Sequence, residues 1–285
     1  MGRSKEAEAV SAFFRALPRR TEDQVEAELD RIAREGPVQN PPPETLSARL
    51  ADGVYHINEN AVAGAVVFYL HGGGYMHDFA PFHWAFLQKL AERTDALILA
   101  PAYTRIPFGT CRDAFAQIVP LYTDCLAAHP GQKIVLMGDS SGGGMALALT
   151  EHFKGEGLPL PDELILLSPW VDAALDNPDI AEYAQKDPWL TLPWLRVCAR
   201  HWAGDLDLRD WRVSPLYGDL SGLPPATVFV GTREIFYPDV IRFFDRLEGA
   251  ENELIVGQEM DHDYPVFPTP EAAAALEKIA ETILR

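Results

Sequence analysis

The sequence predicts an α/β protein with a mostly parallel sheet and helices on both of its faces. Seven short apolar runs, rich in β-forming residues, recur along the chain. Most are continuous rather than alternating, as in parallel strands that are covered on both sides. Helix-compatible segments separate several of them, and this alternation is typical of a parallel sheet. The runs are GVYHIN near 53, AVVFYL from 65, ALILAP from 96, KIVLMG from 133, ELILLS from 163, ATVFVG from 226 and ELIVG from 253.

Two segments fall outside this alternation. Residues 1–42 carry amphipathic helical patterns, and Thr21 with Gln24 forms a candidate capping box. The stretch from about 171 to 223 is rich in tryptophan and contains no clear strand. We therefore predict one domain over 1–285, in which about 1–42 and about 171–223 form a helical cap. The apolar residues predicted to share one face of the first helix are Val10, Phe13, Phe14 and Leu17.

Composition narrows the class of partner. The 285 residues include 24 Lys and Arg against 42 Asp and Glu, a net charge of −18 that argues against nucleic-acid binding. The three cysteines, Cys111, Cys125 and Cys198, fit free thiols in a reducing compartment. The N-terminus lacks the apolar core of a signal peptide, and no apolar run reaches membrane-spanning length. We expect a cytoplasmic protein without stable membrane insertion.

The strongest local signal is GDSSG at residues 138–142, which follows a predicted strand and opens a predicted helix. In this context G-x-S-x-G predicts a sharp turn that exposes the hydroxyl of Ser140 as a nucleophile. The flanking glycines would let the strand and helix approach closely. An idle serine in a glycine-rich turn is the alternative, and the strand–turn–helix context disfavours it.

A second signal is HGGG at residues 71–74, directly after the strand that begins at 65. Consecutive glycines weaken a strand end, but they leave backbone N–H groups free to point into a cavity. An oxyanion hole needs such donors. We interpret His71 as a brace for this loop rather than as a catalytic base.

A serine nucleophile needs a base, and eight histidines are available. Only His262 follows the last predicted strand, where the chain order serine, acid, histidine would place it. It is favoured over His152 and His201. The acids on either side of it, Asp261 and Asp263, are interpreted as solvated loop charge.

Metal and nucleotide sites are not indicated. The sequence has no H-E-x-x-H, no cysteine pair with zinc spacing, no P-loop and no Rossmann fingerprint. We expect neither a metal nor another cofactor.

Together, HGGGY, GDSSGG and a late loop histidine resemble the hormone-sensitive-lipase-type branch of the α/β-hydrolase carboxylesterases. The resemblance covers roughly residues 45 to 285, and the N-terminal helices match the family's cap. It implies an eight-stranded sheet, with Ser140 as nucleophile and His262 as base. The implied oxyanion hole consists of the N–H groups of Gly73, Gly74 and Ser141.

The chain departs from the family at two places. Its loop at 102–108 reads AYTRIPF, where the family usually has Asp-Tyr-Arg-Leu-Ala-Pro-Glu. The family also places an aspartate three residues after the terminal glycine of the strand at 226, and this chain has Glu234 there. Asp239 follows five residues later, at the predicted start of a helix. We assign the triad acid to Glu234 and an N-terminal helix charge or a supporting role to Asp239.

The expected activity is hydrolysis of short-chain acyl esters of small molecules through an acyl-enzyme. An amide hydrolase resembling arylformamidases is an alternative, as is a catalytically silent ligand-binding member of the fold. The last strand would leave an open sheet edge, so a homodimer is compatible with this fold.

Overall fold

The computed structural model describes residues 2–62, 64–249 and 251–285 and contains an eight-stranded sheet. All seven predicted runs form strands. The sequence missed the first strand, since ARLA is short and no residue of it is fully buried. The strands are β1 (Ala48–Ala51), β2 (Val54–Ile57), β3 (Ala65–Leu70), β4 (Leu97–Pro101), β5 (Lys133–Asp139), β6 (Glu163–Leu167), β7 (Ala226–Gly231) and β8 (Glu253–Gly257).

The strand order is β1-β2-β4-β3-β5-β6-β7-β8. The β1–β2 and β2–β4 pairs are antiparallel, and the pairs from β4 to β8 are parallel. The carboxyl ends of β5, β7 and β8 therefore lie along one edge of the sheet, where open α/β sheets bind ligands. The predicted α/β class with a mostly parallel sheet is confirmed.

Helices cover both faces of the sheet. Alternating side chains of β3 divide between two buried clusters, with Phe68 in one and Tyr69 in the other. Both faces of the sheet are thus shielded from solvent, which explains why the strands are continuous apolar runs in the sequence. The helices are α1 (Lys5–Arg15), α2 (Glu22–Glu35), α3 (Pro81–Thr94), α4 (Cys111–Ala128), α5 (Ser140–Gly155), α6 (Ile180–Lys186), α7 (Leu192–Ala203), α8 (Tyr237–Phe244) and α9 (Pro270–Leu284).

The N-terminal segment forms α1 and α2, and the capping box of Thr21 and Gln24 is confirmed. The predicted buried face of α1 is only partly correct. Phe14 is buried and stacks on Trp189, but Phe13 is 63% exposed. Leu17 lies beyond the end of the helix and is 41% exposed. The helix buries only a narrow stripe, which consists of Ala7, Ser11 and Phe14.

The segment between β6 and β7 contains α6 and α7 and no strand. Helix α7 lies against α2, where Arg200 Nη1 is 2.9 Å from a carboxylate oxygen of Glu22. His201 Nε2 is 2.7 Å from Glu26 Oε2 in the same contact. The two segments outside the strand–helix alternation therefore meet each other.

Two further sequence expectations concern the cysteines and membranes. The three cysteines are free and buried. Across the described ranges, none of the helices combines the length and the apolarity that a bilayer crossing requires.

Candidate active site

Ser140 lies on the sharp turn between β5 and α5. Its φ of +51° is in the left-handed region, which non-glycine residues rarely adopt. Such a strained turn lifts the hydroxyl above the sheet edge. The side chain is nonetheless almost buried, at 6% exposure, so any substrate reaches it through a cavity.

The glycines on either side of Ser140 are required by close backbone approach. A Cβ at Gly142 would lie 2.1 Å from the carbonyl oxygen of Leu70. A Cβ at Gly138 would lie 2.4 Å from the carbonyl oxygen of Gly142. Neither position tolerates a side chain, so the predicted reason for the motif is confirmed.

His262 connects Ser140 to Glu234. Its Nε2 lies 2.9 Å from Ser140 Oγ, and its Nδ1 lies 2.5 Å from Glu234 Oε2. The other oxygen of Glu234 accepts a hydrogen bond from the N–H of Gly231, at 2.9 Å, which fixes the carboxylate at the end of β7. All three side chains are buried. The structure thus brings together the serine, the acid and the histidine that the sequence singled out.

The rival candidates lie elsewhere. Asp239 sits in the first turn of α8, as expected, and accepts hydrogen bonds from Asn177 (2.7 Å) and Arg242 (3.2 Å). His201 is bound to Glu26, and the ring of His152 stacks on Trp211.

The HGGG loop enters the same site. Gly73 and Gly74 have φ values of +117° and +62°, and a Cβ on Gly74 would lie 2.1 Å from the indole of Trp194. No oxygen within the described ranges accepts a hydrogen bond from the N–H of Gly73 or Gly74. Ser141 contributes an N–H in the first turn of α5, where helix N–H groups have no intrahelical acceptor. Three donors are thus available beside Ser140.

Buried side chains hold this loop in place. Asp139 Oδ1 accepts hydrogen bonds from the Tyr69 hydroxyl and, at 3.0 Å, from the N–H of Gly72. The hydroxyl of Tyr103 donates to the carbonyl of His71 at 2.7 Å. His71 Nδ1 lies 2.7 Å from the Gly72 carbonyl, so the predicted bracing by His71 is confirmed. Burial lowers the pKa of His71 to about 3, which keeps its ring neutral.

Sequence reasoning missed Asp139 as the anchor of the oxyanion loop. Its Oδ2 lies 3.1 Å from His83 Nε2. Burial alone would raise the pKa of Asp139, but His83 and Tyr69 outweigh burial and lower it. Its position inside GDSSGG was the available signal, although the residues that fix its charge are distant in sequence.

The interpretation of Asp261 and Asp263 as solvated charge was wrong. Asp261 is 6% exposed, and Asp263 is 2% exposed. Asp261 turns away from His262 and binds Arg3 at 2.5 Å and Arg233 at 3.3 Å. These arginines lie in distant segments, so the local sequence gave no sign that the loop is covered.

Asp263 instead faces the histidine, with Oδ2 3.0 Å from His262 Nε2. Burial lowers the pKa of His262, but the charges of Asp263 and Glu234 outweigh burial and raise it well above its usual value. Asp263 has a φ of +56°, and its N–H donates to Ser168 Oγ at 3.1 Å. The histidine is thus flanked by carboxylates at both ring nitrogens.

A cavity of about 300 Å³ opens onto this group. Its walls combine residues at the carboxyl edge of the sheet with residues of the two helical segments, 1–42 and 171–223. A second cavity of about 330 Å³ lies beside α2 and the 102–108 loop, and Ser140 does not line it. The walls of the first include Leu17, Phe82, Trp189, Leu190, Trp194 and the two glycines of the oxyanion loop.

The described residues of this cavity do not form a metal-binding site. Among the residues that the structure describes, no group of three or more His, Cys, Asp or Glu side chains is placed to hold an ion. The arrangement is suited to acyl transfer: a nucleophile, a base oriented by an acid, and donors for a developing oxyanion.

Comparisons with known proteins agree with this geometry. A profile of the α/β-hydrolase fold family matches residues 67–266. An esterase of Acinetobacter venetianus is 34% identical over 263 residues, which cover 89% of this chain and 86% of that protein. An acetyl-hydrolase of Streptomyces hygroscopicus is 32% identical over 177 residues, which are 62% of this chain and 59% of that protein.

Solved structures give the same result. The crystal structure of an esterase from the bacterial hormone-sensitive lipase family superposes with a TM-score of 0.83 at 28% identity, and the match covers 100% of this chain and 99% of that one. The chain belongs to the α/β-hydrolase fold family, in its hormone-sensitive-lipase-type branch of carboxylic ester hydrolases.

Proposed function

We propose that this enzyme hydrolyses short-chain acyl esters with Ser140 as nucleophile, His262 as general base and Glu234 as the acid that orients it. The observation that carries the proposal is the continuous hydrogen-bonded chain from Ser140 Oγ through both ring nitrogens of His262 to Glu234 Oε2. This chain is the geometric signature of an activated serine.

The reaction begins when Ser140 attacks the ester carbonyl and His262 Nε2 takes the hydroxyl proton. The carbonyl oxygen becomes an oxyanion, which accepts hydrogen bonds from the N–H groups of Gly73, Gly74 and Ser141. The imidazolium then donates its proton to the departing alkoxide, which leaves as the alcohol. Water attacks the acyl-enzyme by the same route and releases the acid. Removal of one oxyanion donor typically costs about 3–4 kcal/mol of barrier, so the glycine loop matters as much as the base.

The size of the cavity supports a preference for short acyl groups. Its volume of about 300 Å³ lies at the small end of the usual range for ligand pockets, roughly 300–1,000 Å³. The bulky side chains of Trp189 and Trp194 line it together with Ser140. The name of the relative from Streptomyces hygroscopicus, an acetyl-hydrolase, also supports a short acyl group.

We also propose that residues 1–42 and 171–223 act together as a cap over Ser140. Leu17 and Arg20 from the first segment and Trp189 and Trp194 from the second line the cavity. A cap of this kind excludes water from the acyl-enzyme until the leaving alcohol departs.

The test is a panel of p-nitrophenyl esters from acetate to palmitate, beside an aryl formamide, measured on wild type and Ser140→Ala. We expect maximal kcat/KM at acetate to butyrate and a fall of at least about 10⁴-fold in Ser140→Ala. Maximal activity on palmitate would contradict the short-chain preference. Preference for the formamide would support an amide hydrolase, and no turnover of any substrate would support a silent binding protein.

A further inference from the structure

His262 is faced by a carboxylate at each of its ring nitrogens. Glu234 Oε2 lies 2.5 Å from Nδ1, and Asp263 Oδ2 lies 3.0 Å from Nε2. Ser140 Oγ is 2.9 Å from the same Nε2. Asp263 and Ser140 therefore compete for one ring nitrogen.

The other groups around the imidazole add negative charge or apolar cover. Asp187 is buried behind the Glu234 loop, and the charge of His262 opposes the rise in pKa that burial gives it. Burial raises the pKa of Asp263, and the charge of Asp139, at the end of β5, raises it further. The rings of Trp189 and Phe236 lie 5.6 Å and 5.1 Å from the His262 ring. The field at the imidazole is thus dominated by carboxylates in a dry environment.

The contacts determine where protons can reside. A neutral imidazole has one N–H, and Glu234 fixes that proton at Nδ1. Nε2 then presents a lone pair, which repels an ionised carboxylate 3.0 Å away. The arrangement becomes favourable when the pair binds one more proton, because the positive charge of the imidazolium then lies beside the Asp263 carboxylate, with Nε2 3.0 Å from Oδ2.

The burial of Asp263 strengthens this conclusion. Its side chain is 2% exposed, and within the described part of the chain its Oδ1 has no hydrogen-bond partner. An ionised carboxylate in such a place is costly unless a cation lies next to it. Its negative charge and the positive charge of His262 therefore depend on each other.

We propose that Asp263 is a positioning residue for the general base, whose carboxylate competes with Ser140 for Nε2 and keeps His262 protonated until the pH is higher than Glu234 alone would require. The inference rests on the proposed roles of Ser140 and His262. A protonated His262 cannot accept the hydroxyl proton of Ser140, so Asp263 sets the pH at which hydrolysis begins. Burial lowers the pKa of His262, but the charges of Asp263 and Glu234 outweigh burial and raise it, as this arrangement requires. Burial raises the pKa of Asp263, and the positive charge of His262 opposes that rise.

The experiment compares pH profiles of kcat/KM for p-nitrophenyl butyrate in wild type, Asp263→Asn and Asp263→Gly. The acidic limb of such a profile reports the free enzyme's base. An adjacent opposite charge typically shifts a pKa by roughly 1–3 units, so both variants should move the limb to lower pH by that amount. Below both limbs the variants should be about tenfold faster than wild type, or more.

The two variants guard against a folding defect. Asparagine keeps the shape of the side chain, and glycine suits the φ of +56°. Asp261→Asn is the matched control, because Asp261 flanks the same histidine but binds Arg3 and Arg233. The acidic limb of the kcat/KM profile of Asp261→Asn should lie at the same pH as that of wild type.

An NMR titration of the labelled His262 ring supplies a readout that does not depend on turnover. Wild-type His262 should stay protonated above neutral pH, and Asp263→Asn should lose its proton at lower pH. An unmoved limb in both variants, or a neutral His262 in wild type at pH 7, would overturn the inference. Absence of ester turnover in wild type, or full turnover in Ser140→Ala, would instead overturn the proposed function.

Discussion

The segments that follow β7 and β8 each contain two buried acids, one that faces His262 and one that binds arginine. After β7, Glu234 binds His262 Nδ1, while Asp239 accepts hydrogen bonds from Asn177 and Arg242. After β8, Asp263 faces Nε2 of the same histidine, while Asp261 binds two arginines.

The comparison shows that an arginine partner separates structural acids from acids that face the site. Asp239 and Asp261 have cationic neighbours that stabilise their charges whatever the state of His262. Glu234 and Asp263 face the histidine instead, so their energetics change with its protonation. Substitutions in the two classes should therefore affect different observables.

The largest expected contrast is between the two acids after β7. Glu234→Ala should lower kcat/KM by about 10⁴-fold, because the imidazole loses the partner that fixes its tautomer and stabilises its cation. Asp239→Ala should keep kcat/KM within about tenfold of wild type, since its contacts are to Asn177 and Arg242. Steady-state kinetics on protein whose folding is verified by circular dichroism tests both. A larger loss in Asp239→Ala would reverse the assignment.

A finer test shortens the acid. Glu234→Asp removes one methylene from a side chain whose oxygen lies 2.5 Å from Nδ1. A misplacement of about 1 Å typically costs about 10²-fold in rate, so kcat/KM should fall by that order and stay above that of Glu234→Ala. Activity equal to wild type would mean that the loop moves to compensate. Activity equal to the alanine variant would mean that this loop serves glutamate alone.

Of the two acids after β8, Asp261 should affect stability rather than rate. Asp261→Asn weakens the contacts to Arg3 and Arg233, which connect the N-terminal segment to this loop. The free energy of unfolding should fall by about 1.5–3 kcal/mol, the usual range for a hydrogen bond to a charged group. The kcat/KM should stay close to wild type. Chemical denaturation with parallel kinetics measures both, and a loss of rate without a loss of stability would contradict the division.

The smallest expected effect concerns Glu151, a buried carboxyl whose pKa no histidine among the described residues lowers. Burial raises its pKa to about 8 from an ordinary value of 4.5. Folding therefore takes up a proton, and the stability contribution of Glu151 is lost as the pH rises from 4.5 through 8. Glu151→Gln should raise Tm at pH 9 by roughly 2–4 °C relative to wild type and change it little at pH 4. An equal shift at both pH values would show that titration is not the cause.

The sequence was most informative where function depends on local patterns. Continuous apolar runs predicted seven strands, and a serine in a strand–turn–helix context predicted the sharp turn at Ser140, where the structure has a φ of +51°. Chain order alone led to His262. Each of these signals can be read along the sequence, so no tertiary contact was needed to find it.

The sequence was least informative where burial decides the chemistry. Asp261 and Asp263 flank His262 symmetrically in the chain, and only the fold places Arg3 beside one and the imidazole beside the other. The anchoring of Gly72 by Asp139 likewise joins two strands that are distant in sequence. Strand β1 was missed because four half-exposed residues carry too little periodicity.

The most direct measurement of the central claim is mass spectrometry after reaction with diisopropyl fluorophosphate, which modifies activated serines. We expect one adduct per chain, on the peptide that contains Ser140, together with complete loss of esterase activity. We also expect that His262→Ala and Glu234→Ala slow the labelling strongly, whereas Asp239→Ala does not. An adduct on another residue, or labelling of Ser140 at an unchanged rate in His262→Ala and Glu234→Ala, would contradict the proposed triad.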